Sequence, residues 1–157
     1  MKTILFVCSG NYCLSPLAEG LARLRLGQAG YDSQFSISSA GTLPDYEGQP
    51  SAPLILEVLR EIGATGQANP PHQIRLDEIE QAAVIIGVAQ EHLDWITLHY
   101  PAASLHAFLL SGLIGEHWDV PDPGVQKLDP LRACRDTIDR VITTGLPELL
   151  RRARGGA

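Results

Sequence analysis

The stretch Ile4-Leu5-Phe6-Val7-Cys8-Ser9-Gly10-Asn11-Tyr12-Cys13-Leu14-Ser15-Pro16 decides the fold. Its first four residues form a continuous apolar run, which suits a strand covered on both faces, as in a parallel sheet. Ser9-Gly10-Asn11 then stops that strand with turn-forming residues. Ser15 reads as an N-cap, and Pro16 as a first helical residue whose missing N–H costs nothing there. Leu17, Leu21 and Leu24, with Ala18 and Ala22, follow at helical spacing until Gly27 and Gly30. The opening is therefore strand, tight loop, helix.

Further along, Phe35-Ser36-Ile37-Ser38-Ser39 alternates as a second strand and ends before Gly41. A surface loop runs from Thr42 to Pro53, followed by a helix carrying Leu54, Ile55, Val58, Leu59 and Ile62 and closing at Gly63. Asn69-Pro70-Pro71 breaks the chain, and Leu76 to Gln81 suits a short helix. A third strand is expected over Ala83 to Val88, a helix from Gln90 to Leu98, and a fourth strand over Ser104 to Leu110. Trp118 to Gly124 is a loop stiffened by Pro121 and Pro123. Asp129-Pro130 opens a last helix with Leu131, Ile138, Val141 and Ile142 inward. Gly145 and Pro147 should break it, leaving Arg151, Arg152 and Arg154 on a frayed tail. Strands alternating with helices predict one α/β domain over residues 1–157, a four-stranded parallel sheet with helices on both faces.

Composition narrows the function classes. The chain has 157 residues, 45% of them hydrophobic, which is enough for a core. Twelve basic against 18 acidic residues give a net charge of −6, which argues against a nucleic-acid partner. No apolar run reaches the roughly 18 residues of a membrane span, and the apolar residues before Cys8 are too few for a signal-peptide core. Three cysteines cannot all pair, which favours a reducing cytoplasm.

In an open α/β sheet, ligands bind beyond the carboxyl ends of the strands. The loop from Cys8 to Ser15 lies at such a place. Its amides, with the positive end of the following helix, suit an anion. The same field favours a thiolate at Cys8, a nucleophile to which Ser15 can donate a hydrogen bond. Taken alone, Cys8 is equally well a small core residue finishing its strand.

Val7-Cys8-Ser9-Gly10-Asn11-Tyr12-Cys13-Leu14-Ser15-Pro16-Leu17-Ala18-Glu19 resembles the signature of the low-molecular-weight protein tyrosine phosphatases, V-C-x-G-N-x-C-R-S-P-x-A-E. Ser38-Ser39-Ala40-Gly41-Thr42, His72 with Arg75-Leu76, and Val120-Pro121-Asp122-Pro123 resemble three later segments of that family, in the same order. The resemblance implies hydrolysis of a phosphorylated protein or small phosphate ester through a cysteinyl-phosphate, with no metal and no cofactor. It implies Cys8 as the nucleophile and Ser9, Gly10, Asn11, Tyr12, Cys13, Leu14 and Ser15 as the phosphate loop. Asn11 would brace that loop toward Ser39, and Ser15 would stabilise the thiolate. Asp122 would protonate the leaving oxygen and then activate water, with Asp119 as its rival. It also implies a reversible disulfide between Cys8 and Cys13, while Cys134 reads as a core thiol on the last helix.

Two positions depart from the pattern. Leu14 stands where the family has the arginine that grips two phosphate oxygens. Losing two charge-assisted hydrogen bonds of about 1.5–3 kcal/mol each amounts to about two to four orders of magnitude in rate. Gly124 stands where the family usually has an aromatic residue, so a substrate wall would fall to Tyr12 and Tyr46. Three accounts of Leu14 stay open on the sequence: a catalytically inactive binding or regulatory pseudophosphatase, a second arginine swinging in (Arg75 or Arg23), or a change in an otherwise ordinary phosphatase. Thioredoxin-coupled arsenate reductases share the loop but need further cysteines, and none lies between Cys13 and Cys134. The Cys8–Cys13 spacing fits zinc badly, and His92, His99 and His106, spaced by sevens, read as surface residues.

Overall fold

In the computed structural model, which describes residues 1–155, the apolar run forms β1 (Lys2–Cys8). Alternate side chains of a strand point to opposite faces, and β1 is apolar on both. Ile4, Phe6 and Cys8 join one buried cluster, and Leu5 and Val7 join another. Each fully buried side chain of this kind contributes about 1.5–3 kcal/mol. Truncating Phe6 to alanine at the centre of the larger cluster would therefore cost about 3–5 kcal/mol.

The remaining elements are α1 (Leu14–Gln28), β2 (Phe35–Gly41), α2 (Pro53–Arg60), α3 (Leu76–Gln81), β3 (Ala82–Gly87), α4 (Gln90–His99), β4 (Ala107–Leu109), α5 (Leu128–Thr144) and α6 (Leu146–Ala153). All strand pairs are parallel, in the order β2-β1-β3-β4. Residues of α1, α2, α5 and α6 pack into the cluster on one face of the sheet. Residues of α3 and α4 pack into the cluster on the other. The expected single α/β domain with helices on both faces is what the chain forms over residues 1–155; positions 156 and 157 of the expected domain lie outside the described residues. Among the described residues no helix is long and apolar enough to cross a membrane.

Three local expectations need correction. The fourth strand was placed over Ser104 to Leu110, but Pro101–His106 is a 3-10 helix and only Ala107–Leu109 pairs with β3. Ser104 donates its hydroxyl to the Pro101 carbonyl at 2.7 Å, closing a local turn that withholds this backbone from the ladder. The basic tail is not frayed. Pro147 occupies the first turn of α6, where it is tolerated, and Leu149, Leu150 and Ala153 are buried. Glu148 pairs with Arg151 and Arg152, and the Arg152 guanidinium lies 3.8 Å from the Phe108 ring centroid. Finally, α1 begins at Leu14 with Cys13 at its cap position, so Ser15 lies inside the helix rather than capping it.

Candidate active site

Parallel strands end together, so the carboxyl ends of β1, β2 and β3 gather the loops that follow them on one edge of the sheet. The loop from Cys8 to Cys13 is clamped there by the segment after β2. Thr42 N–H donates to the Cys8 carbonyl and Leu43 N–H to the Ser9 carbonyl, each at 2.9 Å. Gly41 permits this closeness: a Cβ on it would stand 2.5 Å from the Ser9 oxygen.

Under the loop lies a buried polar chain. Asn11 has a left-handed backbone (φ 56°) and is fully buried. Its amide nitrogen donates to Ser15 Oγ and Ser39 Oγ, both at 2.9 Å. Its amide oxygen accepts from Gln67 Nε2 and the His72 N–H, both at 3.2 Å. All four hydrogen-bonding places of the amide are used, which is what a buried asparagine needs. Beyond Asn11, Ser39 Oγ donates to Glu19 Oε1 at 2.7 Å, and the other Glu19 oxygen accepts from Arg23 and the Ala68 N–H. At the near end, Ser15 Oγ lies 3.0 Å from Cys8 Sγ. Ser15 Oγ accepts from Asn11, and its proton has two acceptors within reach, the Cys8 sulfur and, at the longer distance of 3.5 Å, the Ala40 carbonyl. No side chain caps the start of α1, so its first amides remain available to an anion.

A cavity of about 190 Å³ opens above Cys8, and its lining includes Tyr12, Leu14, Tyr46, His92 and Asp122. Tyr12 and Tyr46 are stacked, ring centroids 4.1 Å apart and planes within 3°. Among the described residues, those lining the cavity include the carboxylates of Glu91 and Asp122 but no lysine or arginine. Leu14 is buried at its wall, 5% exposed. Neither arginine considered as a substitute reaches it. Arg23 is committed to Glu19 and to the Gly66 and Ile37 carbonyls, and Arg75 sits beside Asp77 and Glu78.

The two carboxylates of the proline loop part company. Asp122 lines the cavity, and its Oδ1 accepts the Gly124 N–H at 2.9 Å across Pro123. Gly124 has φ 72°, a turn in which the aromatic residue usual in the family would be strained. Asp119 instead accepts the Gln90 N–H at 2.9 Å and caps α4. Cys13 donates its S–H to the Gly124 carbonyl at 3.7 Å. Burial first, then the nearby Asp122 carboxylate, pushes the Cys13 thiol far above its ordinary range. The same two causes push Cys134 up to about 12, and Cys134 is buried on α5 as expected.

His92 was expected at the surface and is not there: it is 3% exposed and lines the cavity. Its Nδ1 accepts the Ala89 N–H at 3.2 Å and its Nε2 lies 3.0 Å from Ser9 Oγ. Burial lowers its pKa despite the carboxylates of Glu91 and Asp119. Sequence reasoning read the histidine spacing and missed that His92 is the third residue of α4, where a side chain folds back onto the cap. His99, by contrast, is exposed and stacks on Trp95. The signature alone assigns Glu19 no role, and its burial at the far end of the Asn11 chain gives it one.

Comparison with known proteins bears on the whole chain. The family model for low molecular weight phosphotyrosine protein phosphatase matches residues 3–154. A protein-arginine-phosphatase of Geobacillus stearothermophilus is 29% identical over 140 residues, covering 88% of this chain and 90% of that protein. A probable low molecular weight protein-tyrosine-phosphatase, EpsP, of Ralstonia nicotianae is 28% identical over 149 residues, covering 95% and 97%. The crystal structure of a low molecular weight protein tyrosine phosphatase from T. tengcongensis superposes with a TM-score of 0.85 at 27% identity, covering 94% of this chain and 99% of that one. With a cysteine-bearing loop closing β1 and a match that spans nearly every element, the chain belongs to the low molecular weight phosphotyrosine protein phosphatase family.

Proposed function

We propose that the chain hydrolyses phosphate monoesters of proteins or small molecules through a cysteinyl-phosphate on Cys8, at a rate much reduced by Leu14. The observation that carries this reading is the contact of Ser15 Oγ with Cys8 Sγ at 3.0 Å, at the end of the buried chain in which every hydrogen-bonding place of the Asn11 amide is used. In the first step the Cys8 thiolate forms a bond to phosphorus as the ester P–O bond breaks, and Asp122 gives its proton to the leaving oxygen. A phenolate, conjugate base of an acid of pKa about 10, needs that proton to leave well. In the second step Asp122 takes a proton from water, whose oxygen bonds to phosphorus as the P–S bond breaks. Neither step requires a metal or a cofactor. The Tyr12–Tyr46 pair would flank an aromatic leaving group, and the free thiols of Cys8, Cys13 and Cys134 fit a reducing cytoplasm.

A second reading, a pseudophosphatase that binds without turnover, is favoured by the cavity lining, which holds no lysine or arginine. Hydrolysis of an aryl phosphate separates the two. The first reading expects slow turnover that disappears in Cys8→Ser. Absence of any Cys8-dependent turnover, in the parent and in Leu14→Arg alike, would leave the binding reading.

A further inference from the structure

His92 touches the Cys8–Ser15 loop through one side chain, Ser9, and its contact with the Ala89 N–H sets the direction of that bond. A backbone amide can only donate, so the Ala89 N–H at 3.2 Å requires a lone pair on His92 Nδ1. The neutral ring then carries its proton on Nε2, and burial keeps the ring neutral near pH 7. It follows that Nε2–H donates to Ser9 Oγ at 3.0 Å, and that the Ser9 hydroxyl proton points elsewhere. Ser9 lines the cavity directly after Cys8. The same tautomer rules His92 out as a base for Ser9, because Nε2 has no lone pair to offer.

We propose that His92 is a positioning residue: by donating to Ser9 Oγ it turns the Ser9 hydroxyl proton into the cavity, where Ser9 hydrogen-bonds a phosphoryl oxygen and supplies part of what Leu14 cannot. This rests on the reading of the cavity as a phosphate site. It adds a side-chain donor at a site whose lining holds no cation.

The two nitrogens of His92 can be tested apart. Asparagine places its amide oxygen near the Nδ1 position, keeping the Ala89 contact but losing Ser9. Glutamine reaches the Nε2 position, keeping a donor to Ser9 but losing the cap. The measurement is a titration of inorganic phosphate followed by amide NMR shifts, with thermal unfolding of each variant alongside, in the parent and in the Leu14→Arg background. Ser9→Ala and His92→Asn should each weaken phosphate binding roughly tenfold, while His92→Gln recovers most of the loss although its cap is gone. Affinities that follow thermal stability instead, with His92→Asn binding as well as its background or His92→Gln falling as far as His92→Asn, overturn the proposal. Where the parent binds too weakly to titrate, the Leu14→Arg series decides. If that series binds phosphate without regard to His92, the positioning role fails and the phosphate site stands; if it binds none, both fail.

Discussion

The floor and the wall of the cavity are built to different standards. In the floor, Asn11, Ser15, Ser39 and Glu19 are all at least 98% buried, and the hydrogen bonds of Asn11 are complete. In the wall, Leu14 presents an apolar side chain to the same cavity as Cys8, and the proline loop turns through a left-handed Gly124. A buried polar network that is fully paired holds a loop in one shape, whereas a half-paired one destabilises it. The floor therefore keeps the cradle's shape independently of what the wall does to its charge.

The largest expected effect tests whether the floor serves chemistry at all. Cys8→Ser should remove every trace of aryl phosphate turnover, in the parent and in Leu14→Arg; residual turnover in either would move the nucleophile elsewhere. Next come the two carboxylates of the proline loop. Asp122→Asn should slow hydrolysis of esters with poor leaving groups about 10²–10⁴-fold. Asp119→Ala should spare that step and cost about 0.5–2 kcal/mol of stability through the lost α4 cap. Equal kinetic effects at both sites would contradict the assignment.

Smaller in kinetics but large for the fold is Asn11→Ala. It leaves Gln67 Nε2 and the His72 N–H without their acceptor and takes a donor from Ser15 and Ser39, a loss of about 3 kcal/mol, or roughly 6–12 °C in Tm. An unchanged melting temperature would show that the floor is not the brace described.

Smaller still are the pH effects of two buried histidines. His72 Nε2 lies 2.6 Å from Glu78, which raises its pKa above 6.5. A group whose folded pKa is raised stabilises the fold below its unfolded value, and that stability is lost as pH rises through the folded one. His92, lowered by burial, has the opposite sign: its folded state resists protonation, so stability is lost as pH falls below 6.5. In chemical denaturation, His72→Gln should flatten the profile on the alkaline side of 6.5, and His92→Gln on the acidic side.

The smallest effect concerns the thiols. Mild peroxide should oxidise the Cys8 thiol to a sulfenic acid, whose sulfur the Cys13 thiol then attacks, closing a disulfide as the S–O bond breaks and water leaves. The reaction should be slow near neutral pH, because burial keeps Cys13 protonated. Peptide mapping that finds no Cys8–Cys13 link after long exposure would discard the pair.

The sheet and the loop after β1 were legible in the sequence because a buried parallel strand leaves a bare apolar run, Ile4 to Val7, and because its stop falls on turn residues. Missing were features set by tertiary contact. The tail around Arg151 looks breakable by Gly145 and Pro147, yet Leu149, Leu150 and Ala153 find a core to bury against. Ser104 closes a local turn onto the Pro101 carbonyl that no alternation pattern reports. Within the site, the family signature pointed to Cys8, Ser15 and Asn11, whereas His92 arrives from 83 residues away along the chain, through α4, and bears no mark in the sequence beside Ser9. Glu19 was visible only as a letter of that signature, since its partners, Ser39 and the Ala68 N–H, come from later segments.

The claim that the cradle is whole except for its charge is tested most directly by the affinity of inorganic phosphate for the parent and for Leu14→Arg, measured side by side by calorimetry. Two restored charge-assisted hydrogen bonds, about 1.5–3 kcal/mol each, predict an affinity at least about a hundredfold higher in Leu14→Arg. Equal affinities, with both proteins folded, would contradict it.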